Sequence, residues 1–450
     1  MSIINAVRNA LHGHPKGVLF IVFTEAWERF SFYGMQALLV LYMGNYLLQP
    51  GNIDQVIGYG TFHGALTAVF GELSIKALAA QIFGLYVAFV YLMPILGGLL
   101  GDRVLGQKNA VLSGAAFMAA GHFMMAFEPL FLFALSALII GSGLLKGNLA
   151  AQVGQLYERG DPRRDEGYVL YNLAINIGAT LAPIVCGTLG MVYGWHYGFS
   201  AAGLGMLVSI VIYVRGLRHM PKEAAFAEGV GAVRPLNAQD YKSLGAILLM
   251  IVVASFFWTA QLQVYNTYHL WAQDNVHLEI LGAAFQVPWF HAIDSFAVLL
   301  FGPLVVVYWG RLRARGAEPN DLKKIAFGCV FIAICFCWLA LGVFVSGEEK
   351  VNLFWPIVFH FFCAIGFLHV GPVVMSLISR AAPDSVNAMM VSAYYLALFA
   401  GGIVSGWLGR FYEATTGEQF WLMHGAIAAF GGVIIMALYP LLKKHLGLAR

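Results

Sequence analysis

Charged residues are scarce in this chain. They make up 11% of its 450 residues, under half the roughly 25% of an ordinary soluble domain, while 60% of the residues are hydrophobic. So few polar side chains cannot cover a water-facing surface, which excludes a soluble globular protein and places the chain in a bilayer. Net charge is small too, +3 from 26 Lys and Arg against 23 Asp and Glu, and supplies no basic field for a nucleic-acid partner. Cysteine is rare, and Cys186, Cys329, Cys335, Cys337 and Cys363 all fall inside apolar runs. On a helix Cys335 and Cys337 point roughly 200° apart, so neither a disulfide framework nor a metal-ligand spacing is indicated.

Long apolar runs are what the chain has in plenty. Segments 18–47, 77–100, 109–127, 129–154, 168–193, 196–217, 243–271, 287–309, 325–346, 352–379, 387–411 and 420–441 each suit the about 20 residues that cross a bilayer. They predict an all-α polytopic membrane protein with twelve transmembrane helices. The first run follows Gly13-His14-Pro15-Lys16 and has no small-residue cleavage site, so it reads as a retained span and not a signal peptide. With the N-terminus inside, 21 of the 26 Lys and Arg fall in inner segments and three (Lys76, Lys350, Arg410) in outer ones. By the positive-inside rule both termini are expected in the cytoplasm, with the spans in the plasma (inner) membrane.

The longest polar inner segment, His219 to Lys242, follows the sixth run. It divides the chain into 1–218, a cytoplasmic linker 219–242, and 243–450. Gly101-Asp102-Arg103 with Gly106 after the second run has a weak echo in Gly310-Arg311 with Arg315-Gly316 after the eighth. This suits two six-helix bundles, the build of major-facilitator carriers, whose site lies near the midplane between the halves.

Two bases, Arg29 and Lys146, and three acids, Glu25, Glu28 and Asp294, are left inside spans. Charges at that depth are costly and line polar cavities or ion paths, the alternative being a static salt bridge that locks helices. Three acids against two bases leave one negative charge that a low-dielectric interior penalises. One proton cancels it, and proton coupling is expected for that reason. Glu25, Glu28, Arg29, Phe32, Tyr33 and Gln36 fall at about 0°, 300°, 40°, 340°, 80° and 20° around a helix, one face that cannot point at lipid. Lys146 sits in Gly141-Ser142-Gly143-Leu144-Leu145-Lys146-Gly147-Asn148; the spacing is wrong for a phosphate loop, and the glycines read as close helix packing that leaves room for the lysine. His291 and Asp294 stand at i,i+3 on one face of the eighth run, with His291 alternatively a core or interfacial histidine. His63 and His269 are read as outer-rim residues, and His369 is left open.

Phe23-Thr24-Glu25-Ala26-Trp27-Glu28-Arg29-Phe30-Ser31-Phe32-Tyr33-Gly34-Met35 resembles the ExxERFxYY signature of the proton-dependent oligopeptide transporter (POT) family, a branch of the major facilitators. Tyr91 with Pro94, Gly97, Gly98 and Asp102 is similar to that family's second span, Lys146 and Asn148 to its fourth, and Ile175-Asn176-Ile177-Gly178 with Pro183 to its INxG motif. The likeness is dense over residues 12–190 and thinner beyond. It implies that Glu25, Glu28, Arg29 and Lys146 take part in proton coupling and bind the peptide carboxylate, and that Tyr33, Tyr91 and Asn176 contact the peptide. Chemically, Arg offers a planar fork and Lys a point charge, while Asn both donates and accepts against a peptide backbone.

The departures are specific. Phe32 replaces the first tyrosine of the pair, Gln36 an arginine, Leu262 the acid of span seven, and Phe367 that of span ten. In span eight an acid is gained: His291-Ala292-Ile293-Asp294-Ser295 stands where the family has QxxNP. Asp294 is therefore expected to supply the missing counter-charge for Lys146 or Arg29, modulated by His291, or else to accept from the peptide amine. The short 219–242 segment predicts twelve spans and not fourteen.

The resemblance implies proton-coupled symport of di- and tripeptides by alternating access, carried out by a monomer in the lipid bilayer with no cofactor besides the coupling proton. The alternatives are a same-fold carrier for a modified peptide, an amino acid or an organic anion, and a sensor that binds peptide without moving it. No metal-spaced cluster at a span end and no Ser/His/Asp set is present in the sequence, so an enzyme is not expected.

Overall fold

A segment crossing lipid has to satisfy its backbone within itself, and a helix does so. The computed structural model describes residues 13–158, 161, 163–220 and 236–448. Arg8, Arg159 and Arg450, and most of the 219–242 segment, lie outside the described residues. The long helices are α1 (Lys16–Tyr42), α3 (Ile75–Leu100), α4 (Gln107–Met124), α5 (Phe131–Gln155), α6 (Arg163–Thr188), α7 (Trp195–Gly216), α8 (Ala238–Gln263), α10 (Trp289–Ala314), α11 (Asp321–Ser346), α12 (Phe354–Ala381), α14 (Tyr395–Leu408) and α15 (Gly417–Ala437). Between them come α2 (Tyr59–Phe70), α9 (Thr267–Asn275), α13 (Asn387–Ala393) and, last, α16 (Tyr439–His445).

Ten of the described segments are long and apolar enough to cross a membrane. The two remaining long helices, α1 and α4, bring the total to the twelve that the sequence predicts. Both are less apolar than the ten: Glu25, Glu28 and Arg29 interrupt α1, and α4 carries Gln107, Lys108, Asn109 and His122. The extra helix α2 was not legible as a span: at 12 residues it is too short to cross a bilayer. Side chains such as Val306, Phe344 and Val433 are exposed along their helices, as lipid-facing residues must be. Pro94, Pro183, Pro303 and Pro372 lie inside helices, a placement that bundles of transmembrane helices tolerate.

By contact the chain divides into two compact units, 1–38 with 55–58 and 93–228, and 39–54 with 59–92 and 229–450. In the first unit the helices approach to backbone distance. A Cβ on Gly97 would overlap the Gly143 backbone, and one on Gly178 the carbonyl of Ala26 and the Cβ of Arg29. Without a strong hydrophobic drive between helices in lipid, such small-residue contacts supply the packing. Asn148 fastens the same seam by donating to the carbonyls of Gly97 (3.0 Å) and Leu144 (2.8 Å). Gly106, at φ 75°, makes the turn into α4, a conformation that favours glycine.

In the second unit, a Cβ on Gly84 of α3 would overlap the carbonyl of Gly402 on α14, and Asn266 Nδ2 donates to the carbonyl of Ala80 (3.0 Å). At its polar end Lys76 pairs with Asp274 at 2.6 Å. Val276–His277 pairs in parallel with Val351–Asn352, and Glu279–Ile280 antiparallel with Ala283–Ala284.

Candidate functional site

The ionic cluster of the first unit is built on α1. Arg29 Nε lies 2.9 Å from Glu25 Oε1, one turn back, and also pairs with Glu28. All three side chains are buried. Their helical spacing puts them on one stripe, and Gly178 lets α6 cross that stripe at Ala26–Phe30. Tyr171, seven residues before Gly178 and so on the same face of α6, presents its hydroxyl to Glu25. Arg29 donates a hydrogen bond to the Tyr33 hydroxyl.

Lys146 joins the cluster from α5. Its Nζ lies 4.0 Å from the centroid of the Phe32 ring, while Arg29 Cζ lies 5.4 Å from the same ring. Phe32 thus meets two cations, an arrangement worth about 0.5–2 kcal/mol for each cation–π contact. Within this unit two buried acids are balanced by two bases. Asn176 donates to the carbonyl of Asn172 (2.9 Å) and sits half-buried two residues before Gly178.

Tyr91 belongs to the second unit, where its ring stacks on Tyr395 at 6.1 Å and 18°. Asp294 is there too, buried on α10. Its Oδ2 accepts a hydrogen bond from Tyr265 Oη, and its Oδ1 lies 3.6 Å from His360 Nδ1 on α12. The His291 ring stacks on Tyr265 at 4.3 Å, and His269 lies 6.4 Å from His291, centroid to centroid. His269 is fully buried (0% exposed), on α9, which follows α8 after the break at 264–266. His369 is buried as well, its Nδ1 against the carbonyl of Ile365 (2.7 Å).

Phe367, at the place of the family's span-ten acid, packs edge-on against Trp258 at 6.1 Å. Trp258 Nε1 in turn donates to Tyr394 Oη (3.0 Å). An aromatic seam therefore occupies the region where the resemblance puts charge. Tyr171, Tyr265 and His360 were missed by sequence reasoning. Only Tyr171 had a local signal, its seven-residue spacing to Gly178; the others are brought together by helices far apart in the chain.

Helices long and apolar enough to cross a membrane, with charged side chains buried among them, mark a polytopic membrane protein with a functional interior. The chain belongs to the POT family, whose model matches residues 108–230 and 227–422. It is 26% identical to a peptide transporter of Yersinia enterocolitica, over 89% of each chain. It is also 25% identical to a di-/tripeptide transporter of Lactococcus lactis subsp. cremoris, over 99% of each. A crystal structure of peptide transporter POT in complex with sulfate superposes with a TM-score of 0.83 at 27% identity, covering 97% of this chain and 96% of that one.

Proposed function

We propose that this integral membrane protein is a carrier that imports di- and tripeptides in symport with protons. The observation that carries the proposal is the buried cluster of Glu25, Glu28, Arg29 and Lys146 around Phe32. In it Arg29 and Lys146 are the groups for a peptide carboxylate. A carboxylate arriving there competes with Glu25 and Glu28 for Arg29, and a proton on either acid releases the arginine. Peptide and proton then favour the same state, which is how two ligands are coupled without touching. Tyr33, Tyr91 and Asn176 contact the peptide backbone, and Asp294 with His291 serves the proton in the second unit. The peptide needs no cofactor and undergoes no bond change, so the protein is not an enzyme. It works by alternating access, as a monomer in the inner membrane with both termini in the cytoplasm.

Relatives described as peptide and di-/tripeptide transporters support the substrate class. The test is accumulation of a labelled dipeptide in liposomes holding only this protein, with an inward proton gradient imposed. Accumulation that unlabelled dipeptides compete away is expected. Accumulation insensitive to dipeptides would transfer the same fold to another solute, and binding without counterflow would make it a sensor.

A further inference from the structure

The excess negative charge among the buried groups has a definite place. Glu25 and Glu28 are matched by Arg29 and Lys146 inside the first unit. In the second unit Asp294 is the buried acid, and no Lys or Arg is buried with it among the described residues. What faces it is imidazole, phenol and thiol. His360 approaches from α12, Tyr265 from the α8–α9 connection, and His291 from its own helix one turn back. Tyr268 and Cys363 lie within electrostatic reach, and His269 stands behind His291.

One contact in this cluster is incomplete. Asp294 Oδ1 and His360 Nδ1 confront each other across 3.6 Å, and neither atom has a hydrogen-bond partner. The opposite ring nitrogen, His360 Nε2, lies 3.0 Å from Tyr268 Oη, which fixes the orientation of the ring. Each buried polar atom left unpaired costs about 1–3 kcal/mol, and a carboxylate in an apolar interior without a cationic partner is penalised further. A proton held by the pair relieves both.

We infer that Asp294 and His360 form a second proton-binding site, carried wholly by the second unit and separate from the Glu25–Glu28–Arg29–Lys146 cluster. Empty, the pair is a carboxylate beside a neutral imidazole with net charge −1. Loaded, it is a neutral acid and imidazole, or a carboxylate and imidazolium, with net charge zero in both forms. Tyr265 donates to the other carboxylate oxygen throughout, and His291 and His269 form a polar line beyond it. Three histidines near a carboxylate also raise the question of a metal, but no group of three or more His, Cys, Asp or Glu with suitable geometry occurs among the described residues. The ligand is the proton itself. The proton-coupled reading above underlies this inference and gives it a numerical consequence, one more proton per peptide than the first cluster alone would carry.

The stoichiometry can be read from the opposing peptide gradient at which net flux stops in liposomes with an imposed pH gradient and the membrane potential clamped. That null point does not depend on how fast a variant works. For each proton lost per cycle it falls about tenfold per unit of pH gradient. Asp294→Asn is expected to lower it by that factor. His360→Gln is expected to do the same, because an amide N–H held against the carboxylate fixes it in the charged form, and this variant keeps the test open should Asp294→Asn fail to fold. Null points equal to that of the unsubstituted protein would overturn the inference. If the unsubstituted protein moves no peptide against a gradient, the transport reading fails by itself. The pair is then tested by infrared difference spectra of the purified protein between acid and alkaline buffer. Carboxyl or imidazole bands that vanish in both variants are expected, and bands unchanged by the substitutions would overturn the site.

Discussion

The Nζ of Lys146 rests 4.0 Å above the centre of the Phe32 ring, at the position where the family signature has the first tyrosine of its pair. The ring therefore gives the half-buried Lys146 a partner that does not compete as an anion. Arg29 lies on the same ring at 5.4 Å. Phe32→Leu keeps an apolar side chain and removes the π face, so peptide affinity is expected to fall by roughly twofold to thirtyfold, the equivalent of about 0.5–2 kcal/mol. Concentration-dependent uptake of a labelled dipeptide measures it, and an unchanged half-saturation concentration would show that the ring is only packing.

Replacing either acid beside Arg29 should uncouple peptide from proton. Glu25→Gln and Glu28→Gln keep the shape and hydrogen-bonding capacity of the side chain but exchange no proton. Gradient-driven accumulation is expected to disappear in both, with some peptide exchange between equal pools surviving. Full accumulation in both variants would remove the pair from the coupling mechanism.

Recognition of the peptide carboxylate is tested from both partners. A charged hydrogen bond contributes about 1.5–3 kcal/mol, so Lys146→Ala should weaken peptide binding roughly tenfold to hundredfold. A dipeptide with an amidated C-terminus should lose a comparable factor as a competitor against the unsubstituted protein. Equal competition by acid and amide would assign Lys146 to another task.

The crossing of α6 on α1 has no room for a side chain. Gly178→Ala places a methyl against the Ala26 carbonyl and the Arg29 Cβ, and overpacking of this kind costs about 1–3 kcal/mol. A lower apparent melting temperature in detergent is expected, together with reduced uptake because the strain falls beside Arg29. A variant as stable and active as the unsubstituted protein would mean that the helices part readily.

Between α10 and α11, outside the membrane-crossing segments, Glu318 bonds Arg313 (2.6 Å) and Lys324 (2.6 Å). These hydrogen bonds, to Arg313 first and then to Lys324, hold its carboxyl down at about 2, from an ordinary value of 4.5. The ionised form is favoured in the folded protein, so its contribution is fully present above pH 4.5 and is lost as pH falls towards 2. Glu318→Gln is expected to lower the apparent melting temperature slightly at pH 7, by the equivalent of about 1 kcal/mol or less. The gap should close in acid, and a gap that widened there would contradict the sign.

Much of this architecture could be read one residue at a time. A low charge content and twelve apolar runs determine that the chain crosses a membrane, because a helix needs only its own length and hydropathy to do so. The stripe from Glu25 to Tyr33 follows from 3.6 residues per turn, and so does the i,i+4 pairing of Glu25 with Arg29. Phe32 could be named as the odd member of its motif, but not as the seat of Lys146, which reaches it from a helix more than a hundred residues away. Likewise the charge count gave an excess of one acid without saying which. Only the tertiary structure decided that Asp294 meets Tyr265 and His360, that Phe367 packs on Trp258, which bonds Tyr394, and that His269 is buried. Local periodicity fixes which face a side chain occupies. What that face meets depends on packing between distant segments, and there a single glycine such as Gly178 decides which polar groups come within reach.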